Sequence, residues 1–286
     1  MKINHTTPDK QNFLQILDSI AVPPKKLYYI GELPQERKPT VAIVGTRKPT
    51  AYGKEVTTHI AGALAAKGVV IISGLALGVD GLAHRAALEA NGTTLAVLGN
   101  GLGEVYPSSH RELAKQILAK GGALISEYEP SRPALPHQFL ERNRLVSGLA
   151  DAIIITEAAA RSGTLNTAAH ALEQGKDIYV VPGNITSPMS AGCNRLLEQG
   201  ARPLLSVDDL LNDLVPENDS AEQTMIPLGD TKLERDIIAA IIDGMRDGDS
   251  LIEKCGVDPA EFNVAITMLE INGVVRALGN NQWRLR

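Results

Sequence analysis

Two cysteines in 286 residues, Cys193 and Cys255, are too few and too far apart for a disulfide framework or a zinc site. The six histidines are scattered, with no H-E-x-x-H pair, so no metal site is expected. There is no excess of basic residues: the formal net charge is -5, which argues against a globally basic nucleic-acid binder. A local basic groove remains compatible, because the relevant field acts over roughly 8–10 Å at physiological salt. No apolar run reaches the length of a membrane helix, and Met1–Pro8 is polar and lacks the apolar core of a signal segment. A cytoplasmic protein without membrane insertion is therefore expected. The chain also lacks G-x-x-x-x-G-K-[ST], and its first turn is not G-x-G-x-x-G, so neither ATP nor NAD is implied and no cofactor is expected.

What the chain has is a series of short aliphatic runs, each ending in a glycine- or arginine-bearing turn. Val41–Val44 leads into Gly45-Thr46-Arg47, and Val69–Ile72 into Ser73-Gly74-Leu75-Ala76-Leu77-Gly78. Leu95–Leu98 leads into Gly99-Asn100-Gly101, Ile153–Ile155 towards Ser162-Gly163-Thr164, and Ile178–Val181 into Pro182-Gly183. Unbroken aliphatic runs suit strands buried on both faces, as in a parallel sheet. Between them, helical spacing groups Val56, Ile60, Ala63 and Leu64, then Leu113, Ala114, Ile117 and Leu118, then Leu165, Ala168, Ala169 and Leu172. Ser109-His110-Arg111-Glu112 has the form of a capping box. The expected fold is α/β: an extended Rossmann-like, doubly wound, mostly parallel sheet over residues 41–212. Residues 1–40 read as an N-terminal extension, with a helix over Lys10–Ile20 that covers the edge of this domain.

Residues 213–230 are acidic and proline-bearing, with little periodicity, and read as a flexible linker. Residues 231–286 then show three helical segments, Leu233–Met245, Ser250–Cys255 and Pro259–Asn272, before a hairpin signal at Gly279-Asn280-Asn281. That is a small winged-helix pattern. Its third helix carries Glu261 and Glu270 and no lysine or arginine, so it should dock on protein rather than read duplex DNA.

Loops after parallel strands gather along one edge, where glycine amides and helix N-termini favour phosphate oxygens. Gly45, Thr46 and Arg47 could grip one phosphate, or Arg47 could form a surface ion pair. The loop from Ser73 and Gly74 to Gly78 permits close backbone approach, and Asp80 beside it suits a helix cap. Phe139 is the only phenylalanine between residues 41 and 212, which sets it apart from core filler. With Arg142, Asn143 and Arg144 it supplies what a single strand needs: charge for the backbone and a flat face for a base. Arg142 and Arg144 fall on different helix faces, so one should face ligand and the other a carboxylate inside. Ser162, Gly163 and Thr164 form an anion nest, while Glu157 suits a general base or an arginine's partner. No histidine or cysteine is identifiably paired with Ser162, so no catalytic residue is assigned.

These motifs, in order, resemble the DNA-processing protein A (DprA/Smf) family. The resemblance rests on Val44–Arg47 with Tyr52-Gly53, Ser73–Asp80, Gly99–Pro107, Phe139–Arg144, Glu157–Ala168, and Val181–Gly183 with Gly192–Leu196. It implies a mediator of recombination without a known catalytic reaction. Members bind single-stranded DNA on the Rossmann domain, form homodimers, and load the RecA recombinase during natural transformation, including onto strands covered by single-strand-binding protein. Carried over, Thr46 and Arg47 would hold phosphate, Arg142 and Arg144 would form a basic pocket, and Phe139 would lie beside a base. The groove would be lined by Ser73–Gly78 and by Ser162-Gly163-Thr164, with Asn100 and Asn143 alongside. Where members often place a lysine before Phe139, this chain has His137. The competing reading is a nucleotide phosphoribohydrolase-like enzyme, similar at Ser162-Gly163-Thr164; Thr167 stands where its catalytic glutamate should be.

Overall fold

A computed structural model describes residues 2–214, 231–242, 245–272, 274–279 and 281–285. The chain divides into two compact units, Met1–Pro216 and Glu217–Arg286. The linker expected over residues 213–230 falls outside the described residues from 215 onward, as does Asn280 of the hairpin signal.

In the larger unit the strands are β1 (Asn4–Thr6), β2 (Leu27–Gly31), β3 (Thr40–Val44), β4 (Val70–Ser73), β5 (Thr94–Leu98), β6 (Ala123–Ser126), β7 (Ala152–Ile155), β8 (Asp177–Val180) and β9 (Arg202–Pro203). The helices are α1 (Ala51–Ala66), α2 (Val79–Glu89), α3 (Arg111–Ala119), α4 (Pro136–Leu149), α5 (Thr164–Glu173), α6 (Ala191–Glu198) and α7 (Val207–Leu214). One sheet takes the order β1-β2-β6-β5-β4-β3-β7-β8-β9. It is parallel from β6 to β9, and antiparallel only where β2 meets β6 and β1 meets β2.

Each of the five predicted runs is a strand, shifted by no more than a residue. Their residues alternate between the two faces of the sheet: Val41 and Ile43 pack with Ile60 and Leu64 of α1, whereas Ala42 and Val44 pack with Leu145 and Leu149 of α4. This period-two division is why the runs are aliphatic throughout. The chain winds outward from β3 to β6, then returns through α4 to β7 on the other side of β3. That reversal opens a crevice over the C-terminal ends of β3 and β7.

The N-terminal reading needs correction. Residues 10–20 do not form one helix; short 3-10 turns at Pro8–Lys10 and Gln15–Ser19 bracket Phe13 and Leu14, which are fully buried with Leu17. The helical spacing of these side chains was real, but it serves burial against the α4 face of the sheet. The strands on either side of these turns, β1 before them and β2 after, extend the sheet itself. The Ser109 capping box does not form either: α3 begins at Arg111 without a side-chain cap, and His110 turns its ring inward to the Leu75 carbonyl at 2.9 Å.

The smaller unit contains α8 (Lys232–Ile242), α9 (Gly248–Cys255), α10 (Pro259–Ile271) and the antiparallel pair β10 (Val275–Gly279) and β11 (Gln282–Leu285). Asp247 and Asp258 cap α9 and α10 by accepting from the Ser250 and Ala260 amides. Ile237, Ile241, Leu251, Phe262, Ile266 and Leu269 make its core. Among the described residues no helix is long and apolar enough to cross a membrane.

Candidate nucleic-acid interface

Three rim loops are knitted together by backbone bonds around the β3 turn. The Thr46 amide donates to the Glu157 carbonyl at 2.7 Å, and the Thr46 carbonyl accepts from the Val79 amide at 3.1 Å. A side chain on Gly45 would strike Val79 and the Glu157 carbonyl, and one on Gly78 would strike the Thr46–Arg47 backbone. Gly78 also sits at φ 79, a left-handed conformation that favours glycine. These two glycines allow the loops to close on one another.

The result is a cleft of about 370 Å³ at the topological switch, lined by Arg47, Phe139, Arg142, Arg161 and the Ser162–Thr164 turn. Arg47 is exposed, with its guanidinium 5.8 Å from the centroid of the Phe139 ring. Arg161 is exposed on the facing loop, and among the described residues neither cation has an ion-pair partner. Ser162 Oγ donates to Thr164 Oγ1 at 2.9 Å and accepts from the Thr164 amide at 3.2 Å, shaping the turn that starts α5. The positive end of that helix therefore faces the cleft beside two cations.

Beneath lies Arg142, only 4% exposed. Its Nη1 donates to the Gly74 carbonyl at 2.8 Å and to the Val97 carbonyl, and a Cβ on Gly74 would collide with the guanidinium. Asp80 is the counter-charge, although it is not the helix cap expected of it. Its Oδ2 turns back to accept from the Gly74 and Ala76 amides at 3.0 and 3.3 Å. Burial pushes the Asp80 carboxyl above its usual range, opposed by Arg142; burial lowers Arg142, opposed by Asp80. Three guanidiniums against one engaged carboxylate leave the cleft positive, whatever the total charge of the chain.

The structure thus brings together Gly45, Thr46, Arg47, Phe139, Arg142, Asn143, Ser162, Gly163 and Thr164 at one cleft. It does not bring Ser73, Asn100 or Arg144 there. The Ser73 hydroxyl is wholly buried and donates to the Ile43 carbonyl at 2.7 Å, pinning β4 to β3. Asn100 is 1% exposed, and its amide donates to the Gly101 and Glu104 carbonyls at 2.9 and 2.8 Å. Arg144 leaves α4 on another face and binds the Glu127 carboxylate at 2.6 and 2.8 Å, the internal ion pair that the helical spacing anticipated for one of the two arginines. Gly74 and Gly78 act as packing positions under Arg142 and Thr46. Asn143 donates to Asn166 Oδ1 at 3.2 Å and so ties α4 to α5.

Glu157 is neither a base in the cleft nor an arginine's partner. Its carboxylate accepts from the Thr50 amide at 2.8 Å and the Thr50 hydroxyl at 2.6 Å, fixing the start of α1. Arg161 also lines the cleft and was not among the residues expected there. Its signal was available, since an arginine immediately before a Ser-Gly-Thr turn at a helix start is well placed to meet an anion.

The family model described as DNA recombination-mediator protein A matches residues 4–215, and the model described as the DprA winged helix domain matches residues 221–281. Protein Smf of Escherichia coli is 38% identical over 274 residues, covering 92% of this chain and 72% of that protein. DNA processing protein DprA of Bacillus subtilis is 40% identical over 205 residues, covering 71% and 68% respectively. Among solved structures, DprA of Streptococcus pneumoniae is similar at TM-score 0.69 and 34% identity, covering 75% of each chain. DNA processing protein A of Helicobacter pylori, whose structure concerns its single-stranded DNA binding mode, matches at TM-score 0.67 and 34% identity over 76% of this chain and 97% of that one. On the two matched models and the identities over most of its length, this chain belongs to the DNA recombination-mediator protein A (DprA/Smf) family.

Proposed function

We propose that this chain binds single-stranded DNA across the C-terminal rim of its sheet and delivers it to the RecA recombinase. The observation that carries the reading is the meeting of Arg47, Arg142 and Arg161 with the Phe139 ring at one cleft. Arg47 and Arg161 suit phosphate oxygens, and the buried Arg142 supplies field where solvent screens it least. A ring stacks only on a base whose face is open, which selects unpaired strands over duplex. Loading strands coated with single-strand-binding protein, action as a homodimer and service in natural transformation belong to the same proposal, and rest on the family relationship.

Fluorescence-anisotropy titrations with single- and double-stranded oligomers test the binding half. Single strands should bind more tightly, with affinity falling as salt rises because phosphate neutralisation releases counterions. Phe139→Ala should cost about 1–3 kcal/mol of single-strand affinity and leave the salt slope unchanged. Equal binding by wild type and Phe139→Ala would place the strand elsewhere. The delivery half is tested by RecA filament nucleation on coated strands, which the protein should accelerate.

The phosphoribohydrolase reading is less well supported: buried Thr167 stands where that motif has its glutamate, and the cleft carboxylate, Asp80, accepts from two loop amides. Incubation with nucleoside monophosphates should release no base.

The tail takes a separate role. Helix α10 exposes Val264, Met268 and Ile271 with Glu261, an apolar and acidic surface that duplex DNA would not favour. We expect a 1–214 truncation to retain the full-length affinity for duplex in a gel shift. A large loss would assign the tail to DNA.

A further inference from the structure

The motif Gly99–Pro107 contributes no side chain to the cleft, yet its construction is elaborate. Gly99 has no room for a Cβ because the Phe139 ring lies against it. Asn100 clamps the carbonyls of Gly101 and Glu104 from below. Gly101 and Gly103 press on the Glu129–Pro130 backbone, with their amides donating to the Arg132 and Pro130 carbonyls at 2.9 and 2.8 Å. These bonds hold the loop from inside, and it presents outward Tyr106 together with Glu104, whose carboxylate meets Arg111 at 3.5 Å.

The Tyr106 ring lies 5.4 Å from that of Phe139, tilted by 43°. It is 47% exposed, and its hydroxyl makes no hydrogen bond among the described residues. A tyrosine kept for packing buries its ring, and one kept for its hydroxyl finds a partner. This one does neither. A half-exposed aromatic ring on a loop bonded from inside, next to a second ring already beside Arg47, has the form of a stacking platform.

We propose that Tyr106 is a base-stacking residue, so that Tyr106 and Phe139 together seat successive unpaired bases while the arginines hold the phosphates. The inference rests on the single-strand reading above. It also gives the Gly99–Pro107 motif a purpose: Asn100 and the glycines hold the platform at a set position beside Phe139.

The test is a titration of the full chain with oligothymidylate and with an abasic oligomer of the same length. Tyr106→Ala should weaken oligothymidylate binding about tenfold, Tyr106→Phe should bind as wild type, and neither should alter the salt slope. On the abasic oligomer Tyr106→Ala and wild type should be equal. In Tyr106→Trp, the added indole should be quenched by oligothymidylate beyond any change seen in wild type, a readout that loss of packing would not produce. Wild-type affinity in Tyr106→Ala, an equal loss on the abasic oligomer, or an unquenched indole would each overturn the assignment while leaving the single-strand reading intact. Failure of wild type itself to bind oligothymidylate would overturn both.

Discussion

Arg142→Met should destabilise the larger unit by about 3–5 kcal/mol at neutral pH, because it leaves a buried carboxylate without its counter-charge. Asp80 and Arg142 are coupled through a single residue: one takes the Gly74 amide and the other the Gly74 carbonyl. Methionine fills much of the volume but abandons the carbonyls of Gly74 and Val97, which lie too deep for water to replace the guanidinium fully. Urea unfolding followed by far-ultraviolet circular dichroism measures the loss. The single tryptophan, Trp283, lies in the smaller unit, so the transition it reports should stay where it is. An equal shift in both signals would mean a general defect.

The deficit should also depend on pH, with a definite sign. Asp80 has a raised carboxyl in the folded state, so its contribution is fully present below the unfolded-state value and is lost as pH rises through the folded one. Removing Arg142 takes away the charge that opposes this rise and pushes the folded value higher still. Wild type and variant therefore converge in acid, where Asp80 is protonated in both, and diverge as pH climbs. A deficit constant from acid to neutral pH would show that lost hydrogen bonds dominate. Adding Asp80→Asn to Arg142→Met should then recover part of the loss, since an asparagine oxygen can still accept from the Gly74 amide without bringing a charge.

Which parts of this molecule could be read from sequence follows from how local each cause is. The five aliphatic runs were legible because burial on both faces leaves no polar alternation to misread. The β6 strand was not: Ala123-Leu124-Ile125-Ser126 offers only two large aliphatic side chains, and the strand is defined by its neighbours β5 and β2. The N-terminal segment misled for a related reason, since Leu14 and Leu17 keep a helical interval although the backbone turns twice in short 3-10 pieces.

At the cleft, Arg47 and Phe139 announced themselves by chemistry that a core does not need. Ser73 and Asn100 looked the same in a glycine-rich loop, but their partners, the carbonyls of Ile43 and Glu104, are set by loop geometry that spacing does not encode. Helical rotation separated Arg142 from Arg144 but did not leave one of them outside: Arg142 is 4% exposed beside Asp80, and Arg144 pairs with Glu127, at the end of a strand the sequence did not reveal.

Arg47→Ala should lower single-strand affinity by about 1.5–3 kcal/mol, roughly ten- to a hundredfold, while leaving the fold intact. The side chain is exposed, has no ion-pair partner among the described residues, and lies 5.8 Å from the centroid of the Phe139 ring, so thermal stability should move by less than about 0.5 kcal/mol. Because one phosphate loses its cation, the slope of log affinity against log salt should become shallower by about 0.7. Arg47→Lys separates charge from geometry: it should restore the slope but only part of the affinity, since an ammonium cannot hold two phosphate oxygens in a fixed fork. Arg161→Ala on the opposite wall should reduce the slope again, and the two losses should add if each arginine holds its own phosphate. A shared phosphate would instead make the second substitution nearly silent. Arg142 cannot serve this purpose, since its removal unsettles the floor of the cleft along with any ligand. Arg47 can be removed without that cost, and wild-type affinity and slope in Arg47→Ala would mean that the strand does not cross the β3 turn.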